Sequence, residues 1–322
     1  MTWPADATSA HRALLYQDEP GFRAVVGAFI REGLARGEQI LAAVPAGPLA
    51  WIRAELGADH TAVEFADSAG IYRRQGEATR VLVDWLRRHA SDGQRARIVA
   101  EQALAGRAPA EITDYLRMEA AANVVYAGFP VSILCPYNDA ELPGDVLAGV
   151  CRTHPELILG DRVRPSESFG DPRSLIRDLS PVVGPPPGGA SIGFGRGEDL
   201  VSVRHFLREQ IQAAGVDGEA AHLLLAGAGE IITNALVHGG APRRLWVYTE
   251  GPALVCHVHD GGPGIADPLA TYLAPDRHAT QGHGLWLARQ ACDALEVAAD
   301  GTGTHVRLLT RLPHPGGQQP VL

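Results

Sequence analysis

Apolar positions in the first half of the chain switch repeatedly between a helical and a strand-like spacing. Over residues 22–35 they recur at the helical period, and Gly37 follows as a C-terminal stop. Gln39–Val44 is then a short apolar run of the length of a buried strand. The alternation continues with a Pro-initiated helix over 48–56, a strand at 62–65, a helix over 77–90, a strand at Ala96–Ala100, a long helix over 110–127, a strand at 131–136 and a last helix over 143–153. Strands separated by helices of this length pair in parallel through crossovers, so the pattern predicts a doubly wound, mostly parallel α/β sheet.

The second half has a different layout. Residues 162–189 are rich in Pro, Gly and Ser, end in Pro185-Pro-Pro-Gly-Gly, and read as a semi-rigid linker with one short helix over 172–179. An apolar helical pattern then carries Glu230 and Asn234, the run 253–259 reads as a strand, and Leu285-Trp-Leu-Ala-Arg-Gln-Ala-Cys returns to helical spacing. The expected domains are residues 1–165 and 188–312, joined by a linker at 166–187 and followed by a disordered tail at 313–322.

Three motifs lie in order within the second domain: Glu230-Ile-Ile-Thr-Asn234-Ala-Leu-Val-His238-Gly239, Asp260-Gly-Gly262-Pro-Gly264 and Gly282-His283-Gly284-Leu285, closed by Gly301-Thr-Gly-Thr304. Glu230 and Asn234 are one helical turn apart, which puts a carboxylate and a carboxamide on one ridge. The carboxamide oxygen is a hard neutral ligand suited to Mg²⁺, and the carboxylate is placed to take a proton from an attacking hydroxyl. Asp260 stands at a strand end, where it can accept a hydrogen bond from an adenine amino group. Gly262 and Gly264 allow a sharp turn and close approach to a ring, and the glycines of the third motif put free N–H groups at a helix start. A lone Asp-x-Gly-x-Gly is commonly just a turn; the order and spacing of all three motifs carry the reading.

The run over about 188–312 resembles the N, G1 and G2 boxes of the Bergerat-fold ATPases shared by histidine kinases, gyrases and heat-shock chaperones. It is most similar to the anti-sigma-factor serine kinases, because the segment between Gly264 and Gly282 is short. The resemblance implies an α/β sandwich with helices on one face of a mixed sheet, and ATP and Mg²⁺ as cofactors. It implies Glu230 as catalytic base, Asn234 as the metal ligand, and Asn234, Asp260, Gly262, Gly264, Gly282, His283, Gly284, Leu285 and Thr304 as the nucleotide-binding set. One departure is His283, where the family often has Arg; Arg277 and Arg289 are the candidates to supply that charge.

Residues 8–160 resemble the MEDS sensory domain. The likeness rests on His11-Arg-Ala-Leu-Leu-Tyr-Gln-Asp, Gly33-Leu-Ala-Arg-Gly-Glu-Gln-Ile-Leu-Ala-Ala-Val-Pro, Ile133-Leu-Cys-Pro-Tyr137 and Cys151-Arg-Thr-His-Pro155. It implies a degenerate RecA-like sheet that senses a small-molecule or protein signal. Pro45-Ala-Gly-Pro48 stands after the first predicted strand in place of a phosphate loop. His11, Tyr16, Asp18 and Glu101 are candidates to line a ligand cleft at strand ends, with capping or packing as the alternative for each.

Composition narrows the chemistry. The formal net charge is -9 over 322 residues, and an acidic chain lacks the basic face a nucleic-acid partner requires. There is no lysine, which excludes a Walker-A lysine, a Schiff base and a lysine general base. The Arg243-Arg244 pair reads as solvated turn surface. Cys135, Cys151, Cys256 and Cys292 show no Cys-x-x-Cys spacing and read as buried small hydrophobes in a reducing cytosol. His257 and His259 share a strand face, with packing favoured over a metal pair for want of a third ligand. Neither a signal peptide nor a bilayer-length apolar stretch is evident, so a cytoplasmic protein without membrane contact is expected.

Three functions fit. The first is an ATP-dependent kinase that phosphorylates a serine of an anti-anti-sigma partner and so controls a sigma factor. The second is a non-catalytic, nucleotide-gated binding module, and the third a histidine kinase with His205 as phosphoacceptor. A homodimer is compatible with any of them.

Overall fold

The alternating pattern of the first half folds as one seven-stranded sheet in a computed structural model that describes residues 9–90, 93–195, 199–275 and 283–313. Its strands are β1 (Ala10–Tyr16), β2 (Gln39–Val44), β3 (Glu64–Asp67), β4 (Ala96–Ala100), β5 (Val131–Asn138), β6 (Glu156–Leu159) and β7 (Arg162–Pro165). They lie in the order β3-β2-β4-β5-β1-β6-β7, parallel throughout except for the β6–β7 edge pair. The intervening helices are α1 (Glu19–Ala35), α2 (Ala46–Leu56), α3 (Ser68–Ile71), α4 (Gln75–His89), α5 (Pro109–Val125) and α6 (Gly144–Thr153).

Strand alternation sorts the side chains to two faces. Leu14 and Tyr16 of β1, with Ile40, Ala42 and Val44 of β2, pack under Phe22, Val26, Phe29 and Ile30 of α1 and Ile52 of α2. The opposite face carries His11, Cys135 and Tyr137, which meet side chains of α5. Helices on both faces are what a parallel sheet requires.

Three strands of this sheet, β1, β6 and β7, depart from the sequence reading. β1 lies inside the sheet, between β5 and β6, although its motif gave no strand signal. Arg12 accounts for this: it is 2% exposed and donates to Glu156 at 2.6 Å, so a charged residue occupies a core position through its ion pair. Residues 162–165, read as the start of the linker, form the edge strand β7.

The chain divides into two units, residues 1–73 with 78–175 and residues 74–77 with 176–322, the last break falling inside helix α7 (Pro172–Asp178). The second unit is an antiparallel sheet of β8 (Ala190–Gly193), β9 (Arg243–Glu250), β10 (Ala253–Asp260), β11 (Ala294–Asp300) and β12 (Gly303–Arg311) in the order β11-β12-β10-β9-β8. Helices α8 (Leu200–Ala213), α9 (Gly218–Val237) and α10 (Gly284–Gln290) cover one face. Leu224, Ile231 and Ile232 of α9 are buried with Leu254, Cys256, Val306 and Leu308 of the sheet, each of the helix residues contributing about 1.5–3 kcal/mol. The expectation that no stretch reaches bilayer length needs correction: α9 has 20 residues with a mean hydropathy of 1.4, enough by length and composition. In the fold 33% of that window is buried, on the side packed against the sheet.

The helix-free face of this sheet carries a histidine cluster. His257 Nε2 lies 3.1 Å from His305 Nδ1, and the His259 and His305 rings stand 4.5 Å apart. Burial, and then the neighbouring His305, Arg307 and His259, push His257 down to about 3. His305 is lowered as well, by burial and then by His259. Both imidazoles are therefore neutral in the fold at pH 7 and protonate more readily once unfolded, so their contribution is present above about pH 6.5 and lost as pH falls. Denaturant melts should show stability falling by about 2 kcal/mol between pH 6.5 and pH 5 from His257 alone. His257→Gln should flatten that slope, and an unchanged slope would remove His257 as its source.

Candidate functional site

Helix α9 and the end of β10 bring the motif residues together in two groups. In the first, Glu230 and Asn234 face the start of α10: a Cβ added at Gly284 would lie 2.9 Å from Glu230 Oε2 and 3.0 Å from Asn234 Nδ2. Any side chain at residue 284 would press on both. His283 is the N-cap of α10 and makes no side-chain capping bond, and Leu285 packs against the core of the unit. Gly282 and Arg277 lie outside the described residues, as does most of the expected tail, residues 314–322.

The second group forms around Asp260, the last residue of β10, 7% exposed and paired across the sheet with Thr304. Its Oδ1 accepts backbone N–H bonds from Gly262 at 2.8 Å and Gly240 at 3.3 Å. Both bonds fall on one oxygen, which fixes the carboxylate and leaves Oδ2 without a bond among the described residues. Gly239 makes the arrangement possible, since a Cβ there would stand 2.4 Å from both Asp260 Cγ and Oδ1. Gly264 has φ of 86°, in the left-handed region that favours glycine, and a Cβ there would stand 2.7 Å from Ala299 Cβ.

Sequence reasoning missed Gly240 and Arg243. Arg243 is not a solvated turn residue: its guanidinium donates to Ala235 O at 2.6 Å and Gly239 O at 2.9 Å, holding the C-terminal end of α9. Ala235 O is one of the carbonyls that the end of α9 leaves without an intrahelical partner, and Gly239 O belongs to the turn that follows. Its neighbour Arg244 donates to Ser191 Oγ and stands 5.9 Å from the Trp246 ring centroid. The one available signal was the His238-Gly239-Gly240 sequence at the helix stop, followed shortly by an arginine.

Arg289, a candidate to compensate phosphate charge, is committed elsewhere. It is 4% exposed, donates to Thr271 Oγ1 and Leu295 O, and lies 3.9 Å from the Tyr272 ring centroid. The histidine-kinase reading also loses support. His205 pairs with Glu209 on α8, whose Val203, Leu207 and Ile211 are core residues of the same unit, whereas a phosphoacceptor needs a separate dimerising helix.

In the first unit the four cleft candidates do not converge. Asp18 caps α1 by accepting from Gly21 N at 2.8 Å. Tyr16 donates to Glu101 at 2.7 Å, and burial pushes the Glu101 carboxyl up to about 8 against the lowering effect of that bond. His11 sits at the other end of β1 from Tyr16.

The donor set of the second unit fits a magnesium nucleotide: an anchored carboxylate with one oxygen free for an amino group, a carboxamide for the cation, and a carboxylate beside a glycine at a helix start. Residues 10–155 match the MEDS family, the methanogen/methylotroph DcmR sensory domain, and residues 196–310 match the histidine kinase-like ATPase domain. A search of curated proteins gives no match. A solved structure of the RsbU and RsbW domains of Rv1364c from Mycobacterium tuberculosis is 18% identical, covering 39% of this chain and 33% of that chain, with a TM-score of 0.29. This chain thus spans about a third of the length of that one, and so distant a likeness adds nothing to the argument. The two family matches establish an N-terminal MEDS domain followed by a C-terminal histidine kinase-like ATPase domain.

Proposed function

We propose that the chain is a cytoplasmic anti-sigma regulatory factor: residues 188–312 form a protein serine kinase site, residues 1–165 a sensor, and residues 166–187 the connection. The arrangement of α9 carries this reading. Its side-chain ridge sets Glu230 and Asn234 against Gly284, and the glycines after its C-terminus hold Asp260. Bound Mg·ATP would supply the phosphoryl group. Asp260 Oδ2 would accept from the adenine amino group, Asn234 Oδ1 would be a ligand for the cation, and the G1 and G2 glycines would leave room for the phosphates. Glu230 would take the proton of the acceptor serine, whose oxygen bonds to the γ-phosphorus as the bond from that phosphorus to the β–γ bridging oxygen breaks and ADP leaves. The acceptor is a serine of an anti-anti-sigma protein, whose modification would alter release of a sigma factor.

A second reading, a nucleotide-gated binding module without phosphoryl transfer, is favoured by one observation. His283 stands at the position where arginine is common, and Arg289 is bound into the fold.

Asp260→Asn replaces an ionised acceptor by an amide and should weaken ATP binding by about 1.5–3 kcal/mol, or roughly ten- to a hundredfold. Calorimetry on both proteins measures this, and equal affinities would remove Asp260 from the site.

Two glycines of one neighbourhood give an internal comparison. Gly239→Ala drives a methyl into the Asp260 carboxylate and should reduce ATP affinity about tenfold or more. Gly229→Ala, where a Cβ meets nothing within 4 Å, should leave affinity unchanged and stabilise α9 by about 0.5–1 kcal/mol. Equal affinities in the two variants would break the link between Gly239 and the site.

Transfer of labelled phosphate to a co-encoded anti-anti-sigma protein separates kinase from binding module. Glu230→Gln keeps the shape of the residue but not its basicity, and should slow transfer about 10²–10⁴-fold. Transfer at the wild-type rate would dismiss Glu230 as base. Tight ATP binding by the wild type with no transfer to any partner would favour the binding module.

A further inference from the structure

The first unit contains a buried cluster that neither the ATP site nor the sheet core explains. His11 of β1, Glu119 of α5, Cys135 of β5 and His154, the residue after α6, offer ligand atoms that all lie within 4.8 Å of one another. His11, Cys135 and His154 are 8%, 2% and 0% exposed. His11 Nε2 is 3.1 Å and His154 Nε2 3.4 Å from the same oxygen, Glu119 Oε2, while Cys135 Sγ is 3.5 Å from His11 Nε2 and 4.0 Å from Glu119 Oε2. A tetrahedral ion with bonds of about 2.0–2.3 Å spaces its ligands roughly 3.3–3.8 Å apart, close to these separations.

The surrounding hydrogen bonds determine which imidazole nitrogens carry protons. Asn123 donates from Nδ2 to the carbonyls of Thr153 at 2.8 Å and of Glu119 and Ala120 at 3.2 Å, which turns its Oδ1 toward His11. His11 Nδ1, 3.2 Å from that oxygen, must therefore be the donor. His154 Nδ1 likewise donates to the Val150 carbonyl at 3.0 Å, with the Thr153 hydroxyl at the same distance. In each neutral ring the remaining nitrogen, Nε2, is a bare lone pair aimed into the cluster, where it meets a carboxylate oxygen that is also only an acceptor. The Tyr137 hydroxyl reaches His154 Nε2 and the Cys135 thiol reaches His11 Nε2, each at 3.5 Å, farther than either ring stands from Glu119. With both rings neutral and Glu119 ionised, the two short contacts on Glu119 set acceptor against acceptor unless a cation lies between them. Protonating both rings instead would bury two positive charges whose centroids are 4.1 Å apart.

The geometry points to a divalent transition-metal site of the zinc class in the MEDS domain, with His11 Nε2, His154 Nε2, Cys135 Sγ and Glu119 Oε2 as ligands. Two imidazoles, one thiolate and one carboxylate suit a borderline cation and not Mg²⁺ or Ca²⁺. Nδ1–H bonds to an amide and a backbone carbonyl are the outer contacts that orient metal-bound histidines. The reading of Cys135 as a mere small hydrophobe is thereby replaced. One ion would tie β1, α5, β5 and the end of α6 together from inside the first unit.

The test uses the full-length chain, stripped with a chelator and titrated with Co²⁺ without nucleotide or Mg²⁺. One equivalent should bind with the intense visible bands of a four-coordinate ion and a thiolate-to-cobalt charge-transfer band, both abolished by Zn²⁺. Cys135→Ser should lose the charge-transfer band and Cys151→Ser should keep it. Asn123→Ala retains all four ligands and should bind about 10–100-fold more weakly. Circular dichroism confirms that each variant is folded. If Cys135→Ser does not fold, X-ray absorption of the zinc-loaded wild type should show one sulfur among four ligands. A folded wild type that gives no saturable four-coordinate Co²⁺ spectrum overturns the site. A charge-transfer band that survives in Cys135→Ser, or zinc without sulfur, does so equally.

Discussion

Helix α9 must bury one side and leave the other to the candidate chemistry, and the second unit is arranged around that division. Leu224, Ala228, Ile231, Ile232 and Ala235 are fixed by packing on the sheet, so the phase of the helix is not free. With the phase set, Glu230 and Asn234 can point only to the α10 side, and the helix length determines where Gly239 meets Asp260. Arg243 ties the C-terminal end to the turn after it by donating to the Ala235 and Gly239 carbonyls. A core substitution such as Ile231→Ala would therefore disturb the two site groups together, although it touches neither.

Much of this was legible because the relevant residues follow local periodicity. The four-residue spacing of Glu230 and Asn234 shows that they share a helix ridge, and the strand before Asp260 was visible in its apolar run. The resemblance to known boxes then assigned roles that spacing cannot give. What stayed hidden depends on contacts between distant positions. The sequence shows Arg243 as one of two adjacent arginines, and only the turn after α9 brings it back onto the helix end. β1 hid behind His11 and Arg12, polar residues at buried positions, because their partners Glu119 and Glu156 lie more than a hundred residues away. The β6–β7 edge was obscured by its brevity, four residues a strand, and by Pro165.

The absence of lysine has a structural counterpart. Arg12, Arg97, Arg117 and Arg307 are all at most 4% exposed, and each has carboxylate partners: Glu156 for Arg12, Glu38 for Arg97, Asp114 for Arg117, and Glu250 and Glu296 for Arg307. A planar guanidinium can satisfy several acceptors at once, as Arg97 does in donating to Glu38 and to the Phe29 carbonyl while lying over the Phe29 ring. An ammonium group offers neither the fork nor the flat face. Replacing one of these arginines by lysine would keep the charge and lose the geometry, leaving part of a buried carboxylate unpaired.

The two histidine clusters show how the same side chain serves different ends. On the helix-free face of the second unit, His257 and His305 direct an Nε2 and an Nδ1 at each other, so one ring can donate where the other accepts. That pair is satisfied by neutral imidazoles, consistent with the depression of both groups by burial. In the first unit, carbonyl oxygens occupy the Nδ1 side of both rings, and the two Nε2 atoms converge on a carboxylate and a thiol. Complementary donors and acceptors close the His257–His305 contact without a further component, although His259 Nε2 and His305 Nε2 have no hydrogen-bond partner among the described residues. In the first unit's cluster, every atom facing the centre is an electron-pair donor once the thiol is ionised, and a cation is the component that such a set requires.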